Sequence, residues 1–202
     1  MTAQTATAAR TVTPRRAEMI RAAARLFSER GYHGTSMQDL ADALGLQRGS
    51  LYAHIGSKED LLFDVADEGA ERFLARGRAA TSLSGSAVER LRGLLVGHIE
   101  TAIEHLDSAT VFLNEWRYLN ADLRALIQDK RDAYEDMVRR IVRDGIATGE
   151  LRGDLDVRFA ARLVLSAGNW TYTWYRPEGE LGPAEIAHEL ADLLIRGLED
   201  RG

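Results

Sequence analysis

Thr35-Ser36-Met37-Gln38-Asp39-Leu40-Ala41-Asp42-Ala43-Leu44-Gly45-Leu46-Gln47-Arg48-Gly49-Ser50-Leu51-Tyr52-Ala53-His54-Ile55-Gly56-Ser57-Lys58 reads as two short helices joined by a tight turn. Thr35 or Ser36 can cap the first, with Gln38 placed to complete a capping box from Thr35. Met37, Leu40, Ala41 and Leu44 then form one apolar stripe at helical spacing. Gly45 stops this helix, since a glycine takes the left-handed backbone that closes a helix without steric cost. Leu46 returns to the core and Gln47 begins a second helix, on which Leu51 and Ile55 point inward at i and i+4. Gln47, Arg48, Ser50, Tyr52 and His54 are left as a hydrogen-bonding outer face. This is the helix-turn-helix pattern, and its outer face suits a DNA groove.

Working outward, Thr13-Pro14 is a strong helix start, because threonine caps and proline fits the first turn. The helix runs to about residue 30, with Ile20, Ala23, Ala24 and Phe27 inward and Tyr32 plugging the space behind it. Residues 1–12, rich in Thr and Ala, read as a disordered arm whose Arg10 can touch phosphate or a minor groove. On the other side Ser57 caps a long helix with Leu61, Leu62, Val65, Ala66 and Phe73 on its buried face. A Ser/Gly loop at residues 81–86 follows. Further helices are expected over 87–105, 108–119, from 120 or 121 to 145 or 149, from 154 or 156 to 176, and from Gly182-Pro183 onward. In the helix over 156–176, Phe159, Leu163, Ala167, Trp170 and Trp174 share one broad apolar face. The reading is all-α, with about nine helices: a three-helix DNA-binding domain over 13–56 and a helical ligand-binding and dimerisation domain over 57–202.

Composition bounds the function. The 202 residues include no cysteine, which excludes disulfides and thiolate metal sites and fits a cytoplasmic protein. No stretch approaches a bilayer span, so no membrane partner is expected. The net charge of −5 is unevenly spread: residues 1–56 carry +3 and the remainder −8. An acidic body turns a basic head toward the duplex. The histidines lack metal-spaced partners, and no phosphate loop, paired carboxylates or other catalytic constellation appears, so neither metal, cofactor nor enzyme is assigned.

In the head, Arg48 is the candidate base reader, because a guanidinium pairs two-pronged with guanine, and Gln47 can read adenine in the same way. Gly49 leaves no side chain between helix and DNA. The run Gly34-Thr35-Ser36 through Gly49-Ser50-Leu51-Tyr52-Ala53-His54-Ile55-Gly56-Ser57-Lys58-Glu59-Asp60-Leu61-Leu62 resembles the DNA-binding signature of TetR-family regulators. That resemblance implies that Tyr52, His54 and Lys58 contact phosphates, as do Thr35 or Ser36 from the preceding helix. It also implies a homodimer, joined through a four-helix contact of the last two helices, on a palindromic double-stranded operator. The surplus of apolar residues in those helices points the same way.

In the body, Phe73, Leu95, Phe112, Trp116, Tyr134, Trp170 and Trp174 are enough, as a group, to line an apolar cavity between long helices. His98 is either a hydrogen-bonded core residue or a further contact in it. The segments Phe112-Leu113-Asn114-Glu115-Trp116-Arg117, Asn169-Trp170 and Trp174-Tyr175-Arg176-Pro177 are similar to the branch of the family that represses fatty-acid, phenylacetate and steroid-ring degradation and responds to acyl-CoA thioesters. An acyl chain needs an apolar tunnel and CoA needs arginines near its mouth, for which Arg117, Arg124, Arg131 and Arg162 are unranked candidates. Asn169 can hold the thioester carbonyl or a backbone group. A multidrug or aromatic-compound sensor, a helical protein binding DNA without sequence choice, and an all-helical enzyme are the alternatives.

Overall fold

The computed structural model describes residues 13–200, so the expected arm with Arg10 lies outside the described residues. Helix α1 (Pro14–Arg30) starts as expected: the Thr13 hydroxyl accepts from Arg16 N and proline fills the first turn. It ends at Gly31, whose φ of 74° suits glycine alone without strain. Helices α2 (Met37–Ala43) and α3 (Arg48–Tyr52) complete the head, and Gly45, at φ 63°, makes the turn between them. Leu46 N then donates to Ala41 O at 2.9 Å, which fixes the angle at which α3 leaves α2. Leu51 and Ile55 are buried as the spacing requires, although the regular helix stops at Tyr52 and leaves Ile55 in the following turn.

Helix α4 (Lys58–Thr81), capped by Ser57, runs from the head into the body and packs against α1, α5, α6 and α7. The body continues with α5 (Ala87–Glu104) and α6 (Leu106–Asn114), and a 3-10 turn (Glu115–Tyr118) leads into α7 (Ala121–Thr148). Gly149, left-handed at φ 77°, closes α7. The chain then forms α8 (Val157–Asn169), a one-turn α9 (Thr171–Trp174) and α10 (Pro183–Leu198). The nine expected helical segments are all present, with two boundaries corrected. The helix expected over 108–119 begins earlier and finishes as the 3-10 turn, and the one expected over 156–176 breaks at Trp170 into α8 and α9.

One continuous apolar core joins head and body. It runs from Met19, Leu26 and Phe27 through Leu62 and Phe73 to Leu91, Leu94, Leu95, Val138 and Ile141. No helix among the described residues is long and apolar enough to cross a membrane. The face carrying Phe159, Leu163, Trp170 and Trp174 is turned outward: α8 buries Ala160, Ala161, Val164 and Gly168 instead. Leu193 of α10 is also exposed, at 67%. These large apolar side chains are each left at least 44% exposed, in line with the surplus read in the last helices.

Candidate functional site

At the head, the capping box belongs to Ser36 and Asp39, which corrects the expectation of Thr35 and Gln38. The Ser36 hydroxyl accepts from Asp39 N at 3.1 Å, and the Asp39 carboxylate takes Ser36 N at 2.7 Å. The hydrogen bonds from Ser36, helped by Arg30, hold the Asp39 carboxyl below its ordinary range. Gln38 instead donates to Asp42 at 2.8 Å. Thr35 is 1% exposed, and its hydroxyl donates to Leu26 O and Gly31 O at 3.2 and 3.0 Å. It closes the end of α1, so the expected phosphate contact of this side chain is corrected to an internal one. Ser36 stays exposed.

Lys58 is similarly engaged within the protein. Its Nζ donates to Tyr32 O at 2.8 Å and to Thr35 O at 2.7 Å, and lies 4.2 Å from the Tyr32 ring centroid. Partial burial there pulls its pKa below the ordinary lysine value. The side chain pins the start of α4 to the turn after α1. Gln47, Arg48, Gly49, Ser50, Tyr52 and His54 are all exposed. The Arg48 guanidinium lies 5.8 Å from the Tyr52 ring centroid, and among the described residues it has no carboxylate partner. A methyl group on Gly49 would meet nothing within 4 Å, so no intramolecular packing asks for glycine there. The outer face of α3 is therefore an uncommitted hydrogen-bonding surface on the basic end of the chain.

The body holds a cavity of about 300 Å³ between α4, α5, α6, α7 and α8. Phe73, His98, Phe112, Trp116, Tyr134, Arg162 and Asn169 of the sequence candidates line it. Arg131, also a sequence candidate, lies with them, and Leu113, Gln128, Asp132, Glu135, Leu165 and Ser166 complete the lining. Five candidates fall elsewhere, Arg124 and Trp174 among them. Leu95 is wholly buried in the core, Arg117 folds its Nε onto Asn114 O at 2.5 Å, and Trp170 is 65% exposed on the outward face of the body. Of the residues that the sequence reading passed over, Gln128, Asp132 and Glu135 sit on α7 among charges that pattern as a solvated surface. They line the cavity because they flank Arg131 and Tyr134 on the same helix face.

The deep end of the cavity is aromatic. Phe73 packs on His98, Phe112 and Tyr134 at centroid distances of 4.8, 5.4 and 6.1 Å. His98 Nδ1 and Tyr134 Oη are 3.1 Å apart. Burial drives the His98 pKa down to about 4, the adjacent Asn169 side chain opposing this only in part, so the ring is neutral at pH 7. Burial pushes Tyr134 upward in the opposite sense. The imidazole and the phenol therefore share a hydrogen bond between two neutral groups. Nε2 has no hydrogen-bond partner within 3.5 Å among the described residues, and Asn169 stands beside the ring. Gly168 makes this possible, since a side chain on it would bring its Cβ within 2.5 Å of the His98 ring.

The cavity is mechanically joined to the head. A Cβ on Gly69 of α4 would lie 2.8 Å from Phe112 Cβ, and one on Gly77 would lie 2.8 Å from the Tyr134 ring and from Met137 Sδ. Two wall residues thus rest directly on the α4 backbone. Beside Trp116, the Glu115 carboxylate accepts from Tyr32 N of the head at 2.6 Å, and Tyr118 packs on His33 with centroids 4.4 Å apart. Glu59 accepts from Asn120 N at 2.5 Å. A separate groove of about 880 Å³ separates α1 and α2 from the body at the α5–α6 junction, where Arg72 meets His105 at 3.2 Å.

Known proteins share both halves of this arrangement. Residues 19–65 match the model for bacterial regulatory proteins of the tetR family, and residues 84–198 match that for the tetracyclin repressor-like C-terminal domain. The HTH-type transcriptional repressor KstR2 of Mycobacterium tuberculosis is 29% identical over 192 residues, covering 95% of this chain and 96% of its own. PfmR, a TetR family transcriptional regulator from Thermus thermophilus, superposes with a TM-score of 0.82 at 36% identity, over 90% of this chain and 99% of its own. AibR, solved in complex with isovaleryl coenzyme A and operator DNA, gives a TM-score of 0.81 at 29% identity, over 91% of this chain and 97% of its own. Since the C-terminal match alone spans more than half of the 202 residues and the reading head matches separately, the chain belongs to the TetR family of bacterial regulators.

Proposed function

We propose that this protein is a transcriptional repressor that binds a palindromic operator as a homodimer and is released by an acyl-CoA thioester. Arg48 and Gln47 read base edges, Gly49 lets the α3 backbone approach, and Ser36, Ser50, Tyr52 and His54 supply groups for phosphate or base contacts. The exposed faces of α8, α9 and α10 join two copies, because one head covers too little DNA for selective binding. The acyl group enters the aromatic cavity. Arg131 and Arg162 there favour an acyl compound with oxygen acceptors over the cationic compounds of a multidrug sensor. Relatives support this reading: AibR was solved with an acyl-CoA and operator DNA, and KstR2 is a repressor.

The observation that carries the mechanism is the direct seating of Phe112 and Tyr134 on α4 at Gly69 and Gly77. Close-packed contacts transmit displacement rather than absorb it. A ligand that shifts either ring tilts α4, and with it the head pinned by Lys58, within the slack that the large groove allows. The spacing of the dimer's two reading helices changes and DNA affinity falls. The ligand must favour the released state by about 5.5 kcal/mol to move the population from 1:99 to 99:1.

Selection of bound duplexes from a random pool, followed by titration of the complex with CoA, acyl-CoAs, aryl-CoAs and free acids, tests this reading. A palindrome released by a thioester is the expected result. Binding of equal strength on random DNA at matched salt overturns the repressor assignment, and a palindrome that no thioester releases overturns the effector alone.

A further inference from the structure

Among the described residues, Arg162 of the cavity is paired with Glu135, whereas Arg131, also of the cavity, has no carboxylate within ion-pair distance. Its guanidinium lies 4.9 Å from the Trp116 ring centroid and 5.1 Å from that of Phe112. Nη1 donates to Phe112 O at 3.3 Å, and among the described residues this is its one protein acceptor. The nearby acids are engaged elsewhere. Glu135 takes Arg139 Nη2 at 2.5 Å and Arg162 Nε at 3.5 Å, while Asp132 accepts from Gln128 at 2.7 Å. The other candidate arginines differ: Arg162 is paired with Glu135, Arg117 folds onto Asn114, and Arg124 does not line the cavity.

A guanidinium presents five N–H donors in one plane, and stacking on aromatic faces fixes the direction of that plane. One donor of Arg131 is used on Phe112, and the remainder have no protein acceptor among the described residues. A partly buried charge of this kind gains most from an oxygen that arrives with the ligand. We propose that Arg131 is the specificity-determining residue of the cavity: its free in-plane donors take the carbonyl or carboxylate oxygen of an acyl compound whose apolar part lies on Phe73, Phe112 and Tyr134. The inference rests on the reading of this cavity as the effector site. It ranks the arginines, and it adds a route for the signal. As the guanidinium turns to the ligand oxygen it leaves Phe112 O and the Trp116 face, one residue from the Glu115 contact that holds the head.

A thioester and a free acid both present such an oxygen, so the test uses both. Operator release is titrated with hexanoyl-CoA, hexanoate and hexanol on the wild type, Arg131→Met and Arg131→Gln, the last keeping a planar group over the two rings. At least a tenfold higher concentration of whichever acyl ligand acts on the wild type is expected for both variants. Release is scored against each protein's own ligand-free operator affinity, and on that scale hexanol should not distinguish the three proteins. Should methionine disturb the packing, the glutamine variant carries the comparison alone. Release of a folded variant at the wild-type concentration overturns the Arg131 assignment and leaves the repressor reading standing. A wild type released by none of these ligands nor by the wider thioester panel overturns the effector reading itself, and this inference with it.

Discussion

Gly49 is a costly residue inside a short helix, and nothing within the protein requires it, since a Cβ there meets open space. The requirement then lies outside the chain, where DNA approaches α3. Gly49→Ala is expected to leave thermal stability equal or raise it by up to about 1 kcal/mol. The same methyl group should weaken operator binding by about 1 to 3 kcal/mol, the usual cost of forcing a group into a filled contact. Melting curves and operator titrations measured together check this, and unchanged DNA affinity would remove Gly49 from the interface. His98 makes the opposite case, a residue whose demands are internal. Its pKa of about 4 lies below the 6.5 of an unfolded histidine. Between those values the unfolded chain binds a proton that the folded one refuses, so this part of the stability is complete above about pH 6.5 and lost as pH falls toward 4. At about 1.4 kcal/mol per unit the loss reaches about 3 kcal/mol. His98→Phe should be less stable at pH 7, because Tyr134 loses its partner, and should show a shallower fall to pH 5. Parallel denaturant-midpoint curves for the two proteins would contradict the assignment of that proton uptake to His98.

The 3-10 turn between α6 and α7 matters beyond its four residues, because it faces two ways. Trp116 lines the cavity while Glu115 and Tyr118 touch the head. Glu115→Ala removes a charge-assisted hydrogen bond worth about 1.5 to 3 kcal/mol where it is well formed. It touches neither the reading surface nor the cavity lining. Operator selection and effector affinity for the free protein should therefore survive, while the ratio of operator affinities without and with saturating effector drops about tenfold, within the usual range of coupling energies. A ratio equal to that of the wild type would show that α4 alone carries the signal. This turn also marks where the sequence stopped being readable. Caps at Thr13 and Ser57 and the buried stripe of α4 follow local chemistry and were legible, while Asn120, Gly149 and Asp156 were each one of two positions that the sequence left open. So were most of the aromatic cavity walls. The break of the eighth helix was not, since its apolar periodicity continues through Trp174 while α8 presses Gly168 onto His98 from another part of the chain. Thr35 was misread for the same reason. Its sequence position suits a cap as well as that of Ser36 does, and only the carbonyls at the end of α1 decide between them.

Over the whole molecule, charge and apolar surface divide the labour. The basic excess sits with the head, and the three most exposed large apolar side chains of the described residues, Phe159, Leu193 and Trp170, sit on the α8 to α10 side of the body. Phe159 is 71% exposed, with Leu163 one turn on, and Leu193 stands free on α10. Side chains of this size in one region gain about 25 cal/mol for each Å² covered, and a second copy of the same surface covers them under two-fold symmetry. Replacing Leu163 and Leu193 together by glutamate puts four like charges into the joined interface while leaving the core of the single chain alone. Light scattering should then report a monomer with an unchanged helical circular dichroism spectrum. Operator affinity should fall by about 100-fold or more, because each half-site is bound without the other. Isolated half-sites should be bound equally by the variant and the wild type, which separates loss of pairing from damage to the head. A double variant that stays dimeric would move the interface off α8 and α10, and one that is monomeric yet binds the full operator with wild-type affinity would break the link between pairing and recognition.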